Sequence, residues 1–96
     1  MDSTVEIKSK LARIKKKLQE KYPIATMALF GSYARSEQTE SSDVDIIVEF
    51  NGRIGSDFIV LAHELEKYLG KKVDLVSRKG IKNQYFNTIE QDLIYV

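Results

Sequence analysis

The first apolar positions of the chain recur with the period of an α-helix. From Ile7 to Leu18 they are spaced by four, three and four residues, and basic side chains fill most positions between them. Ser3 and Glu6 match a capping box ahead of this stripe. A Tyr-Pro pair follows it, and the residue before a proline is disfavoured in helical conformation. The pattern predicts an amphipathic helix between Ser3 and that pair.

Three further apolar segments have the lengths and alternation of β-strands. Residues 24–30 form a continuous apolar segment, and residues 73–76 form a shorter one. Residues 44–50 alternate, so this strand has one apolar face and one largely acidic face. The apolar face consists of Val44, Ile46, Val48 and Phe50. The other face consists of Asp43, Asp45, Ile47 and Glu49.

The remaining segments predict further helices. Ser56 precedes a helical stripe that Gly70 should end, because glycine readily adopts the left-handed conformation of a helix C-terminus. Residues 85–93 fit another helix, whereas residues 94–96 fit either its end or an extended segment. With a short helix after the first strand, the element order is αβαβαβα. We therefore expect an α+β fold in which helices flank a small mixed β-sheet, as one domain over residues 1–96.

Composition narrows the class of protein. Apolar residues make up 43% and charged residues 30% of the 96 positions, which argues against disorder. The absence of cysteine excludes disulfides and thiolate metal sites and fits the cytoplasm. No signal peptide or membrane span is expected, since no apolar run approaches about 18 residues. The net charge of +1 gives no support for nucleic-acid binding.

Acidic side chains mark the start of the second strand. Asp43 and Asp45 share a face, with Cα atoms about 7 Å apart from the rise of a strand. Asp74 lies among apolar residues of the third strand, so pairing of the two strands at these positions would bring three carboxylates together. Such like charges repel when partly buried. A divalent cation removes the repulsion, and Mg²⁺ is expected because it prefers carboxylate and phosphate oxygens.

A Gly-Ser pair follows the first strand. Gly31 has no side chain, so a phosphate group can approach its backbone closely, and the Ser32 hydroxyl can donate to a phosphate oxygen. Ser32 is also expected to cap a short helix over residues 33–37, whose free N–H groups favour an anion. Arg35 lies one turn further along and could contact either a phosphate or an acceptor. An anion site beside a metal site is what a nucleoside triphosphate requires.

These residues carry a family resemblance. The motif stretch GSYAR…SDVDIIV…VDLV resembles the DNA polymerase β-like nucleotidyltransferase superfamily, and within it the minimal nucleotidyltransferases of bacteria and archaea. The resemblance implies magnesium-dependent transfer of AMP from ATP to a hydroxyl group. It also implies a partner, a HEPN-domain toxin encoded nearby, whose tyrosine would be modified and whose RNase activity would be silenced. The catalytic and metal-binding residues implied are Asp43, Asp45 and Asp74. The nucleotide-binding residues implied are Gly31, Ser32 and Arg35.

Two alternatives and one departure accompany the resemblance. The chain could neutralise a toxin by binding alone, although the intact acidic set favours catalysis. It could instead modify a small molecule, which would require a second domain or a second copy of the chain to cover the acceptor. The departure is Ser36, where the family commonly has glycine. If that position has a left-handed backbone, serine costs about 1 kcal/mol there.

The other polar and aromatic candidates have simpler explanations. We interpret His63 as a helical surface residue and residues 15–17 as a solvated basic helix face. Tyr85, Phe86 and Tyr95 are expected to pack in the core or at an interface, and Tyr33 is a weaker candidate for contact with a nucleotide base.

Overall fold

A computed structural model of the chain describes residues 3–96. The helices of this part are α1 (Thr4–Lys21), α2 (Gly31–Ala34), α3 (Asp57–Leu69) and α4 (Asn83–Ile89). The strands are β1 (Ile24–Phe30), β2 (Val44–Phe50), β3 (Val73–Ser77) and β4 (Ile94–Tyr95). Short 3₁₀ turns cover Arg78–Gly80 and Glu90–Asp92. The predicted order is confirmed, and the extended tail adds a fourth strand after the last helix.

The predicted start and end of α1 are both confirmed. The Ser3 hydroxyl accepts from the Glu6 N–H at 3.1 Å, and the Ser3 N–H donates to the Glu6 carboxylate at 3.3 Å, which completes the capping box. The helix ends at Lys21, and Tyr22 is extended, as the following proline requires. Although α1 is 18 residues long, neither it nor any other helix within residues 3–96 is long and apolar enough to cross a membrane.

The strands form one sheet in the order β3-β2-β1-β4. β1 pairs antiparallel with both β2 and β4, whereas β2 and β3 are parallel and α3 connects them. Parallel neighbouring strands need a crossover connection of this kind, because a tight turn can join only antiparallel strands. The sheet is therefore mixed, as expected, and its central strand β2 is paired along both edges.

The two faces of the sheet bury cores of different size. The larger core lies against α1 and α3 and contains the apolar face of β2 with Leu11, Leu61 and Leu65. The smaller core lies under α4 and contains Ile47 and Ile89. Because α4 is short, it covers only part of its face. The acidic end of β2 belongs to this second, partly covered face.

Several local predictions are wrong. α2 is a four-residue helix that begins at Gly31, so it is shorter than the predicted residues 33–37, and Phe30 rather than Ser32 occupies the N-cap position without a side-chain hydrogen bond. Ser56 precedes α3 as predicted but has helical dihedrals and makes no capping hydrogen bond. Ser32 lies inside α2 and Ser56 already has helical dihedrals, whereas a capping residue has an extended backbone.

Gly70 ends α3 in the left-handed conformation, with φ of 68°, which confirms the predicted stop. His63 is exposed, as expected. Tyr85 and Tyr95 are also exposed, at 52% and 55%, so the core is excluded for them and the predicted interface role stays a prediction; Phe86 is half-buried. Tyr33 is fully buried in the larger core and is therefore excluded as a contact for a nucleotide base.

Candidate active site

The register of the two parallel strands brings the predicted carboxylates together. Asp45 lies directly opposite Asp74, inside a ladder that runs from Val44–Val73 to Val48–Ser77. This register is fixed by the apolar residues on either side, because a slip by one residue would turn the buried side chains of β2 to the other face. Asp45 is half-buried and Asp74 is exposed. The pairing of the two strands expected from the sequence is therefore present.

The environment of Asp45 raises the pKa of its carboxyl group. Its pKa is raised from 3.8 to about 6, first by burial and then by the charges of Asp74 and Asp43. A hydrogen bond with the Asp74 side chain raises the pKa further, and the positive charge of Arg35 lowers it. The carboxyl group therefore ionises at a higher pH than usual, because it is partly buried and because two further carboxylates lie near it. A cation bound between the two strands would offset both effects.

Asp43 is less closely associated with the pair. Its side chain is exposed at the end of the loop before β2, and it acts on Asp45 through its charge. Within residues 3–96, no three or more His, Cys, Asp or Glu side chains are gathered closely enough to hold a metal ion as they stand. Asp45 and Asp74 therefore form the compact part of the predicted set. The third carboxylate, that of Asp43, is exposed, so its side chain can change position.

Gly31 lies against the Asp45 carboxylate. Phe30 pairs with Asp45 across the antiparallel ladder, so the next residue turns over the acidic side chain. Gly31 has φ of 72°, and a Cβ at this position would overlap Asp45 Oδ2 and lie 3.0 Å from its Cγ. Only glycine combines this backbone conformation with so close an approach. The predicted anion-binding turn is therefore in direct contact with Asp45, one member of the carboxylate pair.

The short length of α2 changes how an anion would be held. Four residues give little helix dipole, so the turn itself has to supply most of the donors. Ser32 is half-buried, and its carbonyl accepts from the Glu37 N–H at 2.8 Å, which closes the turn. Arg35 is exposed and its Nε donates to the Glu37 carboxylate at 3.0 Å. That hydrogen bond raises the pKa of Arg35, and the charges of Asp92 and Asp45 also favour its charged form.

Two residues near the site were missed by the sequence analysis. The Thr4 hydroxyl donates to the carbonyl of Tyr33 at 2.6 Å, which ties the first turn of α1 to α2. Asp92, in the turn before β4, acts on Arg35 through its charge. Neither has a local signal, because their partners are far away in the chain. Ser36, by contrast, has φ of 55°, which confirms the left-handed backbone considered for this position.

Comparison with known proteins decides the family. A family model described as "Nucleotidyltransferase domain" matches residues 11–96. The chain belongs to the nucleotidyltransferase family. It is 52% identical to MJ1379 of Methanocaldococcus jannaschii, provisionally named a protein adenylyltransferase, over all of both chains. It is 42% identical to protein adenylyltransferase MntA of Thermococcus cleftensis, across 95% of this chain and 93% of that protein.

Solved nucleotidyltransferase structures share the fold. One, described as a minimal nucleotidyltransferase, has a TM-score of 0.75 at 32% identity and covers 92% of this chain and 93% of its own. Another is a toxin–antitoxin crystal structure with AMP-PNP, which has a TM-score of 0.74 at 26% identity and covers 88% of this chain and 69% of its own. The resemblance drawn from the motifs is thus confirmed, and the protein is a nucleotidyltransferase enzyme.

Proposed function

We propose that this nucleotidyltransferase moves AMP from Mg-ATP onto a tyrosine hydroxyl of a HEPN-domain toxin encoded nearby, and so acts as its antitoxin in the cytoplasm. The observation that carries the proposal is the contact between the carboxylate pair and the glycine turn. Asp45 faces Asp74 across the parallel ladder and touches Gly31. This arrangement supports a cation site beside a polyphosphate site.

The residues present fit magnesium. The donors are carboxylate oxygens only, which a hard cation prefers. Burial and the charges of Asp74 and Asp43 raise the pKa of Asp45, and a dication would offset both effects. Asp45 and Asp74 would hold the ion, and the exposed Asp43 side chain would turn in to complete the set. When bound, Mg²⁺ would neutralise charge on the phosphates and on the leaving pyrophosphate.

The protein groups have distinct roles in the transfer. The Gly31 N–H and the Ser32 hydroxyl would hold the β- and γ-phosphates, and the charged Arg35 would contact a phosphate or the acceptor protein. The acceptor oxygen attacks the α-phosphorus while the bond from that phosphorus to the bridging oxygen breaks. Pyrophosphate leaves, and the hydroxyl proton passes to the Asp74 carboxylate. Asp74 is exposed, so an acceptor carried by a second macromolecule can reach it.

The relatives support a protein as acceptor. The relatives from M. jannaschii and T. cleftensis are both named protein adenylyltransferases, and the second is MntA. The structure with AMP-PNP is described as a toxin–antitoxin complex. The chain also aligns with the whole length of the first relative. These points favour a protein acceptor over a small molecule.

The test is a transfer assay with the product of the neighbouring gene. That protein is incubated with Mg-ATP and this enzyme, and its intact mass is measured. We expect a gain of one or more AMP groups, lost in Asp43→Asn/Asp45→Asn and retained in the matched control Glu40→Gln/Glu49→Gln, which removes two exposed carboxylates elsewhere. If the first double variant still neutralises the partner in cells without any mass gain, the protein acts by binding alone.

A further inference from the structure

A basic cleft lies at the end of the sheet remote from the carboxylate pair. It has a volume of about 630 Å³ and is formed where β2 and β3 end. From Asp45 to Phe50, β2 runs five residues, or about 17 Å at the rise of a strand. The cleft is therefore a separate place on the molecule and shares no lining residue with the candidate active site.

The charged side chains that line the cleft within residues 3–96 are all cationic. Arg53 comes from the loop between β2 and α3, and Arg78 and Lys79 come from the turn after β3. Arg53 and Lys79 are exposed, whereas the Arg78 guanidinium is held against Phe86 at the rim. An anion in the cleft would be attracted by all three charges. In a protein of net charge +1, this concentration of like charge is local and not a reflection of overall composition.

The turn that carries two of these cations is held in place. The Ser77 hydroxyl accepts from the Gly80 N–H at 3.0 Å, which closes the 3₁₀ turn. The Arg78 guanidinium stacks over the Phe86 ring, 3.7 Å from its centroid, and donates to the Asn83 side chain at 3.2 Å. Because its side chain is fixed in this way, Arg78 loses little side-chain freedom when an anion binds. The cleft is thus preorganised on one side.

The other wall of the cleft is apolar. Phe50 and Ile54 are half-buried there, and the Phe50 ring is held by an edge contact with Phe58 at 6.1 Å between centroids. The cleft also lies outside the carboxyl ends of two parallel strands joined by a helix, which is where open α/β sheets bind ligands. Its volume lies within the range of small-molecule sites.

From the three cations, the apolar wall and the position at the strand ends, we propose that this cleft is a second ligand site for a phosphate ester with a flat ring, that is, a ligand of the mononucleotide class. The phosphate would lie among Arg53, Arg78 and Lys79, and the ring would lie against Phe50 and Ile54. The site is independent of the proposed transfer reaction, because none of its residues belongs to the carboxylate pair or the glycine turn.

The test is a titration of backbone amide chemical shifts with AMP. It uses the Asp45→Asn/Asp74→Asn protein in EDTA, so that any signal from the metal site is removed. We expect saturable shifts at residues 51–55 and 77–80, with adenosine binding more weakly than AMP by about tenfold or more, the scale of one charge-assisted hydrogen bond. Inorganic phosphate should also bind more weakly than AMP, because it lacks the ring.

Charge reversal then assigns the ligand contacts. Arg53→Glu/Lys79→Glu should abolish the shifts, and both side chains are exposed, so the fold should tolerate the change. Lys16→Glu/Lys17→Glu makes the same charge change on α1 and should leave the titration unaltered. The proposal is overturned if AMP shifts only residues 31–36 and 43–45, if adenosine or phosphate binds as tightly as AMP, or if the two reversals behave alike.

Discussion

Replacing Asp45 with asparagine should stabilise the metal-free fold while removing nucleotidyl transfer. The carboxylate is half-buried beside Asp74 and has a pKa raised from 3.8 to about 6. Above pH 6 the folded protein must hold this group ionised against its surroundings, whereas the unfolded chain carries no such cost. Asparagine has the same shape and no charge, so it should relieve the cost and at the same time remove a ligand for the cation.

The size and sign of the effect follow from the pKa. A rise from 3.8 to about 6 corresponds to about 3 kcal/mol at most, and solvent screening of a half-exposed group reduces this to about 1–2 kcal/mol. Because the folded state binds the proton more tightly, wild-type stability falls as the pH rises through this window. The gain from Asp45→Asn should therefore be full at pH 8 and fall to a small fraction of that value near pH 4.

Urea denaturation in EDTA at pH 8 and at pH 4 measures the difference. Glu49→Gln makes the same chemical change on the same face of β2 at an exposed position and should alter stability by no more than about 0.5 kcal/mol at either pH. Added Mg²⁺ should stabilise the wild type and not Asp45→Asn. If Asp45→Asn is less stable than wild type at pH 8, or equally stabilised at both pH values, the account of charge crowding is wrong.

Three further substitutions test the turn beside the carboxylates. Gly31→Ala should lower the free energy of unfolding by at least about 1–2 kcal/mol and raise KM for ATP. Gly70→Ala, at a position with φ of 68° and open space around it, should lower stability alone. Equal KM values for the two variants would contradict the close approach of Gly31 to Asp45. Ser36→Gly should stabilise the protein by about 1 kcal/mol in urea denaturation. Ser9→Gly inside α1 should destabilise it by about 0.5 kcal/mol. If Ser36→Gly is instead less stable than Ser9→Gly, the backbone at Ser36 is not strained. Thr4→Val leaves the Tyr33 carbonyl with only the 3.3 Å hydrogen bond from the Ser36 N–H, so it should cost about 1 kcal/mol and raise KM for ATP. Thr4→Ser should restore both; an unchanged KM would limit the hydroxyl to stability.

The main elements could be predicted because their signals are local. The capping box and the Tyr-Pro pair fix α1, and the bounds of β1 and β2 are those expected from apolar length and alternation. Short elements were less predictable. The start of α2 depends on how the chain turns over Asp45. β4 forms because two residues near the end of the chain pair with the edge of β1 that β2 does not occupy. Such choices are decided by tertiary contacts that no local pattern records.

The candidate site divides in the same way. Asp43, Asp45, Asp74 and the Gly-Ser pair could be found from motif spacing, and the opposition of Asp45 and Asp74 followed once the strands were expected to pair. The contact of Thr4 with α2 could not be found, because it joins positions 29 residues apart through one hydroxyl. The basic cleft was also missed, since its cations come from two loops that meet only after β2 and β3 have paired.

The central claim is that Asp45 and Asp74 share one dication beside a polyphosphate held by the Gly31 turn. A crystal structure of the protein with Mg²⁺ and a non-hydrolysable ATP analogue measures this directly. We predict an ion at about 2.1 Å from a carboxylate oxygen of each aspartate, with the β- and γ-phosphates against Gly31 and Ser32. An ion bound to the phosphates alone, with both aspartates outside its coordination sphere, would contradict the account.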